Sequence, residues 1–150
     1  MDNSIYEFSF SDFRILSIHF ELKDNEEYKL SKNIEVSTTL SLKHNFLVND
    51  KKLRLLMKIE ISGKQLPFFI SVEAGGLFSF KNRTKDIPTS VLDKIANINC
   101  AAITFPYLRE VVADIVRRSG LPQLNLPPIN FVELYNEKMK APKKRLKRKE

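Results

Sequence analysis

The stretch LRLLMKIEIS, residues 53–62, alternates almost strictly between large apolar and polar side chains. A period of two residues is typical of a β-strand with one face against a core. The preceding stretch IEVSTTLSLK, residues 34–43, has the same period, and Asn49-Asp50-Lys51 between the two stretches has the composition of a turn. The two stretches therefore predict a β-hairpin, and this hairpin decides the fold class.

Two further stretches extend the predicted sheet. The stretch FRILSIHFEL, residues 13–22, is rich in aromatic and β-branched residues. The stretch LPFFISVEAGGLFSF, residues 66–80, predicts another strand, with a bulge or bend at Gly75-Gly76. We therefore expect a four-stranded antiparallel sheet.

The second part of the chain has helical periodicity. Pro88 opens one helical segment, and a second helix carries Pro106 in its first turn and ends at Gly120. A last amphipathic helix starts near Phe131 and ends before Pro142. Strands followed by helices predict an α+β protein.

The formal charge of +7 belongs to the end of the chain. From Lys138 onward, eight Lys and Arg residues stand against Glu150, so the residues before Lys138 carry no net charge. A nucleic-acid-binding fold would spread its basic residues over a folded face, which this neutral body does not do. We predict a folded domain over residues 1–141 and a basic, disordered tail over residues 142–150.

No catalytic or metal-binding constellation can be assembled from the sequence. His19 and His44 lie inside strand patterns without a further ligand at metal-binding spacing, and Cys100 has no base beside it. Gly75-Gly76 does not form a phosphate-binding loop. We therefore predict a protein that is not an enzyme, with no cofactor and no metal.

The location expected from the sequence is the cytoplasm. Residues 1–7 carry acids where a secretory signal needs Lys or Arg, and no apolar run is long enough to insert into a membrane. Cys100 is the single cysteine, which fits a reducing compartment and a core position.

Three segments in the second half carry a family resemblance. They are VEAGGLFS (72–79), ITFPYLRE (103–110) and GLPQLNLPPINF (120–131). In order and spacing they resemble the SecB export-chaperone family, over roughly residues 66–135. The resemblance implies a four-stranded antiparallel sheet with helices packed on one face, which assembles as a homotetramer, a dimer of dimers.

The resemblance also implies a hydrophobic groove for unfolded client chains. Carried over by motif, its aromatic residues are Phe68, Phe105, Tyr107 and Phe131, with Leu66, Ile70 and Leu126 as neighbours. The alternative for each aromatic is a plain core position; Tyr107 is the strongest candidate because it adds a hydroxyl at a helix start. The implied function is ATP-independent holding of unfolded preproteins, which keeps them competent for translocation.

Two features depart from export members of the family. Those proteins are typically acidic and dock the SecA motor through carboxylates on the sheet, but Ser71 stands at one such position and the tail is basic. Glu21, Asp24 and Glu73 are candidate substitutes in docking SecA. One alternative is therefore a chaperone of a toxin-antitoxin system that protects an aggregation-prone antitoxin, and a more distant one is a nucleic-acid-binding module that acts through the tail.

Overall fold

The computed structural model of the chain describes residues 6–23, 36–47 and 51–148, without the side chains of Thr84 and of residues 141–148. Several residues used in the sequence analysis lie outside this part of the chain: residues 1–5, Asp24, Ile34, Glu35, Asn49, Asp50, Lys149 and Glu150. Lys51, the last residue of the predicted turn, has a φ of 55°.

Four strands form one antiparallel sheet. They are β1 (Phe8–Leu22), β2 (Ser37–Leu47), β3 (Lys52–Ser62) and β4 (Phe68–Phe80), in the spatial order β1-β4-β3-β2. The predicted hairpin is confirmed, since β2 and β3 pair in an unbroken register from Ser37 opposite Ser62 to Leu47 opposite Lys52. The edges of the sheet are therefore β1 and β2.

The alternation of side chains along β3 and β4 determines which face of the sheet is buried. The apolar residues of β3 that point to the helices are fully buried, as are most of those of β4: Leu53, Leu55, Met57, Ile59, Ile61, Ile70, Val72, Ala74 and Phe78. Burying each of the larger side chains contributes about 1.5–3 kcal/mol. We call this face the inner face and the opposite one the outer face.

The irregularities of the sheet lie on β1. The register with β4 shifts between Phe10 and Asp12 and again between Ile15 and Ser17. The prediction of a bulge at Gly75-Gly76 was wrong, because β4 runs through both glycines with regular alternation. Each extra residue on β1 reverses the phase of its side chains, so that apolar residues on both sides of each shift face inward.

The first two predicted helices form one continuous helical stretch. Helix α1 (Thr89–Lys94) leads into a π-helical segment (Ile95–Cys100) and then into α2 (Ala101–Arg118). The prediction that Pro106 lies in the first turn of a helix was wrong, since Pro106 lies inside α2. The π-helical segment explains the difference, because its wider turn rotates the apolar face and hides the continuity of the pattern.

Helix α2 ends as predicted and α3 does not. Gly120 follows α2 with a φ of +89°, a conformation that favours glycine, and its N–H donates to the carbonyl of Arg117. Helix α3 (Phe131–Arg148) continues past Pro142, where the sequence predicted its end. An interior proline removes one hydrogen bond and crowds the preceding turn, but the Lys and Arg residues that follow Pro142 favour helix, and the helix continues through it. The division into a domain and a tail at residue 142 stays a prediction.

Within the described residues, no helix is long and apolar enough to cross a membrane.

Candidate functional site

An apolar groove lies between the β2 side of the inner face and the segment that connects α2 to α3. Its volume is about 350 Å³. Four elements and the connecting segment supply its walls: Thr38 and Leu40 from β2, Ile59 from β3, Phe105 from α2, Leu126, Pro127 and Ile129 from the connecting segment, and Leu134 from α3. Among these residues Thr38 alone has a polar side chain, so the groove suits an apolar ligand.

The connecting segment forms a wall because its sequence prevents regular structure. Pro127 and Pro128 are adjacent and both lack a backbone N–H, which disfavours a helix or a strand ladder at this point. Asn130 then caps α3, since its side-chain Oδ1 accepts hydrogen bonds from the backbone N–H groups of Val132 and Glu133 at 3.1 and 3.2 Å. The cap fixes where α3 begins and therefore where Leu134 meets the groove.

Three of the seven predicted site residues lie in or next to this groove. Phe105 and Leu126 line it. Phe131 contacts the Phe105 ring edge to face, with ring centroids 5.7 Å apart. All three are nearly fully buried, with exposures of 3, 9 and 5%.

Another three predicted residues belong to the hydrophobic core. Leu66, Phe68 and Ile70 are at most 3% exposed and do not line the groove. Phe68 stacks on Phe20 of β1, with ring centroids 5.8 Å apart. Because β1 and β2 are opposite edges of the sheet, the Phe68 ring lies away from the β2 side where the groove is.

Tyr107 lies on the β1 side of the molecule. Its ring contacts Phe10 and Phe13 of β1 at 5.1 and 5.5 Å between centroids, and the residue is 45% exposed. The expectation that it lies at a helix start was wrong, because α2 begins at Ala101. The structure therefore separates Tyr107 from the groove that Phe105 lines two residues earlier.

Sequence reasoning missed most of the groove's lining. The residues not predicted for the site are Thr38, Leu40, Ile59, Pro127, Ile129 and Leu134. The sequence of β2 did contain a signal for some of these residues. Its apolar side chains alternate with polar ones, so they share one face of the sheet, and this face must be the one that the helices cover. The pairing of Leu40 with Ile59 across the hairpin follows from the same pattern.

A second apolar surface lies along β1. Ile15, Leu16, Ile18 and Leu22 are between 42 and 50% exposed, although β1 is a long strand at the edge of the sheet. Ile15, Ile18 and Leu22 pair with inward-facing residues of β4, so they lie on the inner face, beyond the cover of the helices. Leu16 lies on the opposite, outer face, where a Cβ at Gly75 would contact it. We call these four residues, which lie along both faces of the edge strand, the β1 strip.

The outer face of the sheet carries charges of both signs. Glu21 and Glu73, two of the predicted substitutes for docking carboxylates, lie there with Ser71, since Glu21 pairs with Phe69 and Glu73 with Ser17 and Lys58. Glu73 therefore lies opposite a lysine.

Packing accounts for the single cysteine. Cys100 is fully buried, and burial raises the pKa of its thiol to about 12. It is the core residue that the sequence suggested. In the part of the chain that the structure describes, no three His, Cys, Asp or Glu side chains come together as a metal site.

Comparison with known proteins agrees with this fold. The family model described as preprotein translocase subunit SecB matches residues 7–142. The protein-export protein SecB of Acidithiobacillus ferrooxidans is 40% identical over 76 residues, which are 51% of this chain and 48% of that protein. The SecB of Burkholderia vietnamiensis is 37% identical over 75 residues, 50% of this chain and 45% of that protein. The chain thus spans about half the length of the curated relatives it matches.

A solved structure has the same fold. It is the SecB-like chaperone Rv1957 of Mycobacterium tuberculosis in complex with a ChAD peptide from the Rv1956 HigA1 antitoxin. The TM-score is 0.68 at 17% sequence identity, and the match covers 81% of this chain and 90% of that one. Since the family model extends from the start of the sheet into α3, the chain belongs to the SecB family.

Proposed function

We propose that the chain is an ATP-independent chaperone that holds non-native polypeptides and keeps preproteins competent for export. The observation that carries this proposal is the apolar groove beside an edge strand. Residues of β2 line the groove, and among the described strands β2 is an edge strand, whose outer side presents backbone donors and acceptors. An extended client can pair with that edge while it places apolar side chains in the groove, which requires no particular client sequence.

The proposed assembly is a homotetramer formed as a dimer of dimers. The β1 strip supports it, because a 15-residue edge strand with four exposed large apolar residues is unfavourable in an isolated protein. Several grooves on one oligomer would hold one client at several points, so that weak contacts combine into slow release without nucleotide.

The proposed partners are unfolded preproteins in the cytoplasm, with SecA as a receptor. Glu21 and Glu73 on the outer face are the carboxylates that would meet SecA in the proposal. Holding a client involves no bond making or breaking, so the proposal needs neither a catalytic group nor a cofactor.

The second candidate is a chaperone of a toxin-antitoxin system. Its support is the fold neighbour that was solved with an antitoxin peptide. The two candidates differ in client: an export chaperone binds many unfolded chains with similar affinity, whereas an antitoxin chaperone prefers one segment of its antitoxin.

The groove is tested by a matched pair of substitutions on α3. Leu134→Ser removes a groove wall, whereas Val132→Ser changes a half-exposed apolar residue of the same helix that does not line the groove. We expect the wild type to suppress light scattering by an equimolar, chemically unfolded client on dilution. Loss of the Leu134 side chain costs about 1–2 kcal/mol of client binding, which weakens the affinity about fivefold or more.

The Val132→Ser protein should match the wild type in the same assay. The proposal is wrong if the wild-type protein leaves the scattering of the client unchanged. If the wild type suppresses scattering and Leu134→Ser does so equally well, clients bind elsewhere on the molecule.

A further inference from the structure

A polar cluster next to the groove joins β2, α1, the π-helical segment and α3. The Asp93 carboxylate is its centre: Tyr135 Oη donates to Asp93 Oδ2 at 3.0 Å, and Asn97 Nδ2 donates to Asp93 Oδ1 at 3.2 Å. His44 Nε2 lies 3.7 Å from Asp93 Oδ1, and Lys138 Nζ donates to Asn97 Oδ1 at 3.3 Å. We call His44, Asp93, Asn97, Tyr135 and Lys138 the Asp93 cluster.

The cluster is a costly feature for an otherwise apolar layer. Asn97 is only 3% exposed, yet its amide makes directional bonds to Asp93 and receives one from Lys138. Buried polar groups stabilise a protein less than apolar packing of the same volume, but they allow few alternative arrangements. The π-helical segment places Asn97 one turn after Asp93, so that both side chains reach α3.

Two of the elements that the cluster joins, β2 and α3, also supply groove walls. On α3, Tyr135 of the cluster directly follows Leu134 of the groove. On β2, His44 and Leu40 share the inner face, since they pair with Leu55 and Ile59 of β3. Moving α3 away from α1 would therefore break the Tyr135 hydrogen bond and widen the groove at the same time.

The protonation states of the cluster at neutral pH favour the hydrogen bonds that hold α3 in place. Partial burial raises the pKa of Tyr135, and its hydrogen bond to Asp93 and the charge of that carboxylate raise it further, so the phenol keeps the proton that it donates. Burial lowers the pKa of His44; the Asp93 carboxylate opposes this effect and Lys138 adds to it. The Asp93 carboxylate therefore accepts hydrogen bonds from Tyr135 and Asn97, while His44 Nε2 stays 3.7 Å away.

We propose that Asp93 and Tyr135 are positioning residues for client binding: their hydrogen bond holds α3 against α1 and so sets the width of the groove. The proposal extends the holding function argued above and rests on it for the client itself. Neither residue lines the groove, so the proposal means that residues outside the groove control the affinity for a client.

The test uses two conservative variants and one control. Tyr135→Phe removes the donating hydroxyl and keeps the ring, and Asp93→Asn removes the charge and keeps the shape. The control is Asp114→Asn on α2, where an exposed carboxylate accepts hydrogen bonds from Arg117 and Arg118 at a distance from the groove. For each protein we would measure the Kd for a fluorescein-labelled, carboxymethylated and permanently unfolded protein, and the hydrogen exchange of residues 131–140 and of the sheet.

We expect Tyr135→Phe and Asp93→Asn to weaken client binding about fivefold or more and to speed amide exchange in residues 131–140, since one charge-assisted hydrogen bond is lost. Exchange in β3 and β4 should stay unchanged, as should both measurements for Asp114→Asn. Unchanged affinity and unchanged exchange in α3 would overturn the proposal, and so would faster exchange throughout the sheet, which would mean a general loss of stability.

The two proposals can fail separately. If the wild type binds no unfolded client, the holding function is wrong, and the exchange of residues 131–140 still decides whether the Asp93 cluster positions α3. If the wild type binds the client and the variants bind it equally well, the positioning role alone is overturned.

Discussion

At the scale of single residues, the environment of His44 makes stability depend on pH. Its side chain is 18% exposed and lies 3.7 Å from the Asp93 carboxylate, which also accepts from the Tyr135 phenol, and the Lys138 ammonium group is close enough to act on its charge. Burial disfavours the imidazolium form, and this effect outweighs the attraction of Asp93, so the folded pKa lies below the ordinary value. In the unfolded chain the same imidazole titrates near about pH 6.5.

His44 therefore predicts a loss of stability in mild acid. As the pH falls through about 6.5 towards the folded pKa, the unfolded chain takes up a proton that the folded chain does not, so the free energy of unfolding decreases. The contribution of His44 to the free energy of unfolding is fully present above about pH 6.5. Urea denaturation of the wild type and of His44→Gln between about pH 5 and 7.5 measures the effect. The variant should lose less stability over this range, and equal losses in the two proteins would show that other groups cause the acid sensitivity.

At the scale of elements, the contact between β4 and α2 depends on Gly76. A Cβ at this position would lie 2.7 Å from Thr104 Oγ1 and 3.2 Å from the Phe78 ring. Thr104 cannot easily move, because it is fully buried and its hydroxyl donates to the carbonyl of Cys100 at 2.8 Å. The neighbouring Gly75 faces the other way, and a Cβ there would meet Leu16 and Leu56 at ordinary contact distances of 3.6 and 3.8 Å.

The two glycines give a matched pair of substitutions. Gly76→Ala should lower the free energy of unfolding by about 1–3 kcal/mol, since the helix must move away from the sheet. Gly75→Ala should be neutral or slightly stabilising, because alanine lowers the entropy of the unfolded chain without a clash. Thermal and urea denaturation of both variants would measure the difference. Equal stability of the two variants would show that α2 can shift without cost.

The strands and helices differ in how far their sequence could predict them. The hairpin of β2 and β3 was predictable because each strand keeps a period of two over its whole length. The two β1 bulges were not, since each break in alternation, after Phe10 and after Ile15, can be read as a bulge or as the end of a strand. The continuity of α1 and α2 was not predicted, because the π-helical segment between them shifts the helical phase. The apolar residues of the two helices therefore do not follow one common period.

The groove shows the same limit at the level of the site. Phe105 and Leu126 could be predicted because they lie in the motifs ITFPYLRE and GLPQLNLPPINF, which resemble the SecB family. Thr38 and Leu134 could not, because their position in the groove depends on how β2 and α3, distant in sequence, pack on the same layer. Tyr107 was placed in the groove by its motif, whereas the turn of α2 directs it towards β1.

At the scale of the whole molecule, the two apolar surfaces lie on opposite edges of the sheet. The groove is at the β2 edge and the β1 strip at the other edge, with β4 and β3 between them. Because the two surfaces are separate, copies of the chain can associate through β1 while each β2 edge stays open to a client. An assembly of this kind increases the number of grooves without covering any of them.

The proposed assembly predicts that charge on the β1 strip separates the subunits. Ile18 and Leu22 are 47 and 42% exposed on the inner face, so Ile18→Glu with Leu22→Glu would place two carboxylates in the proposed interface without disturbing the core. Burying them unpaired would cost several kcal/mol for each copy. Light scattering coupled to size-exclusion chromatography should give four copies of the 17.4 kDa chain for the wild type and smaller species for the double variant. Val132→Glu, which places one charge at a half-exposed apolar residue of α3, should keep the wild-type mass. A monomeric wild type, or a double variant that remains a tetramer, would show that the β1 strip does not form the interface.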